Sequence, residues 1–172
     1  EKSRWIYLPE CDSVIDTTNM NDWSFPVGTR LFKEFALSGA RIETRMIERV
    51  GEGPRDFRYA SYLWSADETE ATLAPAEGVV DAKGTVHDIP SESACRRCHG
   101  SHALRGGRPS RALGFSAIQL NYGGAGFTLE DAEREGVLSV APGELPSPDY
   151  SAAWQAVGYL HANCGTCHNE TV

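Results

Sequence analysis

The pattern of apolar and polar positions changes character near residue 90. Before it, the runs 30–37 and 41–50 read as extended segments joined by Ser38-Gly39-Ala40, a hairpin turn. In the second run Ile42, Thr44 and Met46 alternate with Glu43, Arg45 and Ile47, the period of two expected for a sheet with one drier face. The aromatic-rich Phe57–Trp64 suits a third strand, and Val79-Val80 and residues 85–87 flank Lys83-Gly84 as a short hairpin. Short strands with turns at this spacing predict a small antiparallel sandwich.

Beyond residue 90 the signals are helical. Ser91-Glu92-Ser93 caps a short helix that Gly106-Gly107-Arg108-Pro109 breaks. Residues 114–120 read as a second helix, and 128–135 as a third, capped by Thr128 and stopped by Gly136. A loop with three Pro over 141–149 precedes the clearest helix, 151–163. The expectation is an α+β fold. Residues 1–90 form a β-sandwich-like docking or assembly region, and residues 91–172 a mostly helical one.

Composition narrows the function classes. Across 172 residues, 16 Lys and Arg stand against 24 Asp and Glu, a net charge of −8. Duplex nucleic acid needs a basic face to displace counterions, and an anionic membrane surface needs the same. Neither partner fits. No run approaches the ~18 apolar residues of a membrane span. A 41% hydrophobic fraction with 4 Trp, 6 Tyr and 6 Phe is enough to bury a core.

Five Cys stand at 11, 95, 98, 164 and 167. Four of them form two C-x-x-C pairs, each followed at once by His: Cys95, Cys98, His99 and Cys164, Cys167, His168. This is the attachment signature of c-type haem. Two thiols three positions apart on a helical turn meet the two vinyl groups on one porphyrin edge as thioethers, and the next imidazole comes under the iron. One such pentapeptide arises by chance in roughly four of a thousand chains of this composition, and two almost never. Paired C-x-x-C also occurs in zinc ribbons, but there the pairs lie about 15–20 residues apart, whereas Cys98 and Cys164 are 66 positions apart. Thioredoxin-like chemistry uses a single pair without the His. The expected cofactors are two covalently attached haem c groups, with His99 and His168 as proximal iron ligands. The region 91–172 is then a c-type cytochrome region in which short helices wrap the haems. Cys11 is left over, read as a small buried or half-buried side chain or as half of an intermolecular disulfide.

A second axial ligand is usual for an electron-transfer haem. The candidates are His87, His102 and His161, with Met20 and Met46 behind them. On a continuous helix His161 and His168 point the same way, about 10 Å apart along the axis, so His161 reaches a neighbouring haem rather than its own. His102 is barred from the first haem by the same argument. A cross-ligated pair follows, with His161 capping the haem of Cys95 and Cys98, and His102 or His87 capping that of Cys164 and Cys167. Arg97 and Arg105, with Arg108 and Arg111, are candidate propionate partners or a solvated loop. Glu34, Glu43 and Arg45 read as charges facing water on a sheet, with a buried acid pair as the alternative.

Several words along the chain resemble a known family. Trp23-Ser24-Phe25-Pro26-Val27-Gly28-Thr29, Lys33-Glu34-Phe35 and Glu43-Thr44-Arg45 carry the front half of the likeness. Ile89-Pro90-Ser91, Leu113-Gly114-Phe115, Gln119-Leu120-Asn121 and Tyr159-Leu160 before Asn163-Cys164 carry the rest. Together they look like a family of exported dihaem c-type proteins of largely unassigned role. Members of that family have Trp where His87 stands and continue beyond the second haem motif.

These readings converge on one-electron transfer in the periplasm or outside the cell. An acidic surface suits a basic redox partner. The chain could also be a subunit of a homo-oligomer or extracellular cytochrome filament. The alternative is a dihaem peroxidase with one open haem site.

Overall fold

The computed structural model describes residues 1–172 apart from 21, 54–55, 101–110, 123–125, 144, 146–150 and 166–172, and apart from the side chains of residues 154 and 162. The chain is of mixed α+β class. Five strands, β1 (Lys2–Tyr7), β2 (Arg30–Leu37), β3 (Ala40–Arg49), β4 (Phe57–Trp64) and β5 (Ala71–Leu73), form one antiparallel sheet in sequence order. Four short helices follow: α1 (Glu92–His99), α2 (Ala117–Leu120), α3 (Leu129–Arg134) and α4 (Ala152–Asn163).

The β2–β3 turn forms where the sequence signals it. Ser38 (φ 51°) and Gly39 (φ 83°) both take left-handed conformations between the paired Leu37 and Ala40. Positive φ at both central residues gives a hairpin turn whose twist matches that of the strands. Register then breaks between Phe35 and Ala36, where Ile42 has no partner. This β-bulge explains why consecutive Ile42 and Glu43, 2% and 0% exposed, are both buried despite the period of two. The expectation that these charges face water is therefore corrected for Glu43.

Among the described residues the strands make one sheet, not the two of a sandwich. Residues 79–89 do not pair as the expected hairpin of 79–80 with 85–87. Val79 bridges Ile89 instead, around a 3₁₀ turn at Ala82–Gly84 with Asp81 and Lys83 left-handed. The layer over the sheet includes this segment, α1, α2 and the loops around Trp23 and Phe25. Cys11, expected to be at least half buried, is exposed in a turn.

The main core crosses the position 90 divide. Ile15, Trp23 and Phe25 pack with Ala117 and Leu120, and Ile6, Leu31 and Phe115 join them. Phe115 meets Trp23 and Phe25 edge-on at 6.0 and 5.5 Å between centroids. Backbone stitching reinforces this contact. Ile15 pairs in parallel with Leu138, and Thr17 Oγ1 donates to the Val140 carbonyl at 2.6 Å. Burying Phe25 or Ile15 completely contributes about 1.5–3 kcal/mol each. Among the described residues no helix is long and apolar enough to cross a membrane.

Candidate functional site

The first C-x-x-C-H lies on α1, and three local features place that helix. Ser91 caps it, its Oγ accepting from the Ala94 amide at 3.2 Å. Glu92 in the first turn and Arg96, Arg97 and His99 in the last suit the helix dipole. Gly78 (φ +87°) lets the preceding loop approach closely: a Cβ there would stand 2.4 Å from the Ile89 carbonyl oxygen. The helix then rests on β4, where the Tyr59 ring meets the His99 ring at 6.0 Å and the Arg96 guanidinium at 5.3 Å.

The Cys95 thiol is half-buried and the Cys98 thiol exposed. Burial pushes the Cys95 thiol upward; the Arg45 charge opposes that shift and the Glu43 charge adds to it. Tyr59, Ser61, Pro75 and Pro90 line a cleft beside Cys95. His99 Nδ1 lies 3.3 Å from the Arg111 carbonyl oxygen, and the Arg111 amide donates back to the His99 carbonyl at 2.8 Å. With Nδ1–H donating to a carbonyl, the lone pair of the neutral imidazole is on Nε2. Metal-bound histidines are commonly oriented in this way.

The donor set therefore fits a haem at this site: two thiols one helical turn apart, and an imidazole whose tautomer the backbone holds. No family model, curated protein or solved structure matches this chain. The family likeness rests on the sequence words alone.

His161 on α4 is held by α2. Its Nδ1 lies 3.0 Å from Gln119 Nε2, and Gln119 also reaches the Gly158 carbonyl at 3.5 Å. Partial burial holds the His161 imidazole below its usual range, and the Arg111 charge lowers it further. Arg111 is thus linked to both His99 and His161. Its side chain is buried, with Asp22 Oδ1 at 3.7 Å from Nη1. The solvated-loop expectation is corrected for Arg111, and Arg97 is exposed. Arg105, Arg108 and His102 lie outside the described residues.

His87 is engaged elsewhere. Its Nε2 stands 2.7 Å from Glu43 Oε2, while Arg45 grips the same carboxylate through Nε at 2.7 Å and Nη2 at 2.9 Å. Phe35 stacks against His87 at 5.1 Å. The sequence pattern allows Glu43 to face water or to join a buried acid pair; its partners are instead Arg45 and the distant His87. The one available signal was the adjacency of Ile42 to Glu43-Thr44-Arg45 in a strand too polar for a plain core.

At the second motif, Cys164 is exposed just beyond α4, its amide bonded to the Leu160 carbonyl at 2.7 Å. Cys167 and His168 lie outside the described residues. Val157, Leu160, His161 and Cys164 fall three and four positions apart and so share one side of the helix. Val157 and Leu160 are about half exposed. Met46 is buried in the sheet, and Met20 packs against the main core. Among the described residues no three His, Cys, Asp or Glu side chains converge as a bare metal ion would require. A larger cleft of about 300 Å³ lies between Leu120 and Asp131, with no cysteine among its described lining residues.

Proposed function

We propose that the chain is a dihaem c-type cytochrome that carries one electron at a time outside the cytoplasm. Cys95 and Cys98 hold one haem with His99 as proximal ligand. Cys164, Cys167 and His168 hold the second. The observation that carries the reading is His99, which follows two thiols on one helical turn and has its Nδ1 held on the Arg111 carbonyl. When bound, each haem iron supplies the one-electron couple, at a potential set by axial ligands and burial.

The polypeptide's own work is placement. The α1 cap and the Gly78 approach seat the first motif, and Tyr59 buttresses His99. His161 is the second axial ligand of the first haem in this reading. The Gln119 amide can serve either tautomer of His161. Its NH₂ donates to a bare Nδ1, whereas its oxygen accepts from Nδ1–H, and only the second arrangement puts the lone pair on Nε2. His87, tied to Glu43, is set aside as an axial ligand. Val157 and Leu160, beside Cys164, provide apolar surface for the second ring to cover.

The test is intact mass together with visible absorption of protein matured where haem c is attached. Two haems are expected, falling to one in Cys95→Ser/Cys98→Ser and to one in Cys164→Ser/Cys167→Ser. A bare polypeptide overturns the reading. Both haems are expected to be six-coordinate and low-spin; a high-spin haem that binds cyanide points to the peroxidase instead.

A further inference from the structure

On the sheet face that carries Tyr59, the register aligns a row of cations. Arg4 on β1 is directly opposite Lys33 on β2, and Lys33 is opposite Arg45 on β3. Arg45 is in turn opposite Ser61 on β4. Like charges directly opposed across antiparallel strands are destabilising, and this lane has three in succession. Lys2 adds a fourth one position along. Lys2 Nζ, Lys33 Nζ and Arg45 Cζ ring the buried Phe35 at 5.8, 5.0 and 4.3 Å from its centroid.

The acid among them is Glu43, which is buried and already committed to Arg45 and His87. Among the described residues no ion pair reaches Lys2, Arg4 or Lys33. Burial, and then the Arg4, Lys2 and Arg45 charges, push the Lys33 ammonium down to about 8. A chain with 24 acidic residues could have set one opposite Lys33. It has set two arginines there instead.

The position of the lane indicates what it binds. It ends at Ser61, which shares a cleft with Cys95, and the Arg45 and Glu43 charges both act on the Cys95 thiol. Haem c carries two propionates on the side of the ring away from its thioether links. Arginine takes a carboxylate bidentately and lysine holds it as a point charge. We propose that Lys33 and Arg4, beside the Glu43-paired Arg45, form a carboxylate-binding lane for the propionates of the haem attached at Cys95 and Cys98. This inference rests on the dihaem reading. It replaces exposed Arg97 as the propionate partner.

The holoprotein and its Lys33→Gln, Arg4→Gln and Lys33→Arg variants test the lane by intact mass and spectroelectrochemical titration. Arg45 is left in place because it neutralises Glu43. Ferric haem carries one more positive charge than ferrous, so losing a nearby cation favours the ferric form. Lys33→Gln and Arg4→Gln are expected to keep two haems and to lower one midpoint potential while the other holds. Lys33→Arg is expected to restore it. Lysine NMR of the low-spin ferrous protein should show Lys33 titrating well above 8, because a bound carboxylate favours the ammonium. The charged groups facing it are Lys2 and Arg4 on β1, and Arg45 and Glu43 on β3, the last shared with His87. Two haems with both potentials unmoved and Lys33 titrating near 8 overturn the lane and leave the dihaem reading standing. A wild-type chain without haem overturns both.

Discussion

Glu43 is fully buried, and its charge is balanced by Arg45 and His87 rather than by water. Removing one partner of such a pair strands the other, which costs about 3–5 kcal/mol. Glu43→Gln keeps the side chain's shape but leaves Arg45 without its anion, so urea unfolding should show a loss of about 3 kcal/mol. An unchanged midpoint would mean that solvent reaches this carboxylate. A second residue-scale prediction concerns Gln119. Replacing it with Leu removes the contact that orients His161, and the first haem's low-spin spectrum should weaken while haem count by mass stays at two. Legibility differed sharply between these residues. Cys95, Cys98 and His99 are a local pattern and can be read directly. Glu43 is buried because of a bulge and because the 79–89 segment folds over it, and both depend on residues distant in sequence.

At the scale of elements, the helices of the second half were largely readable because caps are local. Thr128 and Asp131 form a reciprocal capping box at α3, each side chain bonding the other's backbone amide. Thr128→Ala should destabilise the helix by about 1 kcal/mol, seen as faster amide exchange over Leu129–Arg134. The Thr128 amide and hydroxyl, then Arg134, hold the Asp131 carboxyl down to about 2, below its ordinary 3.8. A lowered carboxyl value stabilises the folded form fully above its unfolded value, and the contribution fades as pH falls through the folded one. The Thr128→Ala deficit should therefore persist at pH 5 and shrink as pH falls from about 4 toward 2. Strands β1 and β5 gave weaker signals. They are the sheet's edges, β1 exposed along most of its length and β5 only three residues long, so neither carries a full period of buried positions. The sandwich expectation failed for a related reason. Periodicity reports that a strand has a dry face, but not whether a sheet or a helix covers it.

At the scale of the molecule, the two C-x-x-C-H motifs differ in how the described residues around them hold them. The first is tied to the sheet through Tyr59, to the loop beneath it through Gly78 and Ala76, and to the 111–120 segment through the paired His99 and Arg111 backbones. That segment belongs to the core shared with Ile15, Trp23 and Phe25. Among the described residues α4 meets Gln119 on α2 through His161 and the Gly158 carbonyl, and Val157, Tyr159 and Leu160 stand 50%, 67% and 54% exposed. In the dihaem reading, a covalent group seated against the sheet stabilises the whole fold, whereas one at the end of a helix with an exposed apolar side stabilises mainly that helix. Cys95→Ser/Cys98→Ser should therefore lower the thermal midpoint of the sheet by several degrees, on the scale of a few kcal/mol in a domain of this size. Cys164→Ser/Cys167→Ser should leave that midpoint within a degree or two while removing one haem. Far-ultraviolet dichroism followed beside Soret absorption separates the two transitions. Equal losses from both variants would mean that α4 and the second haem are built into the same core as the first.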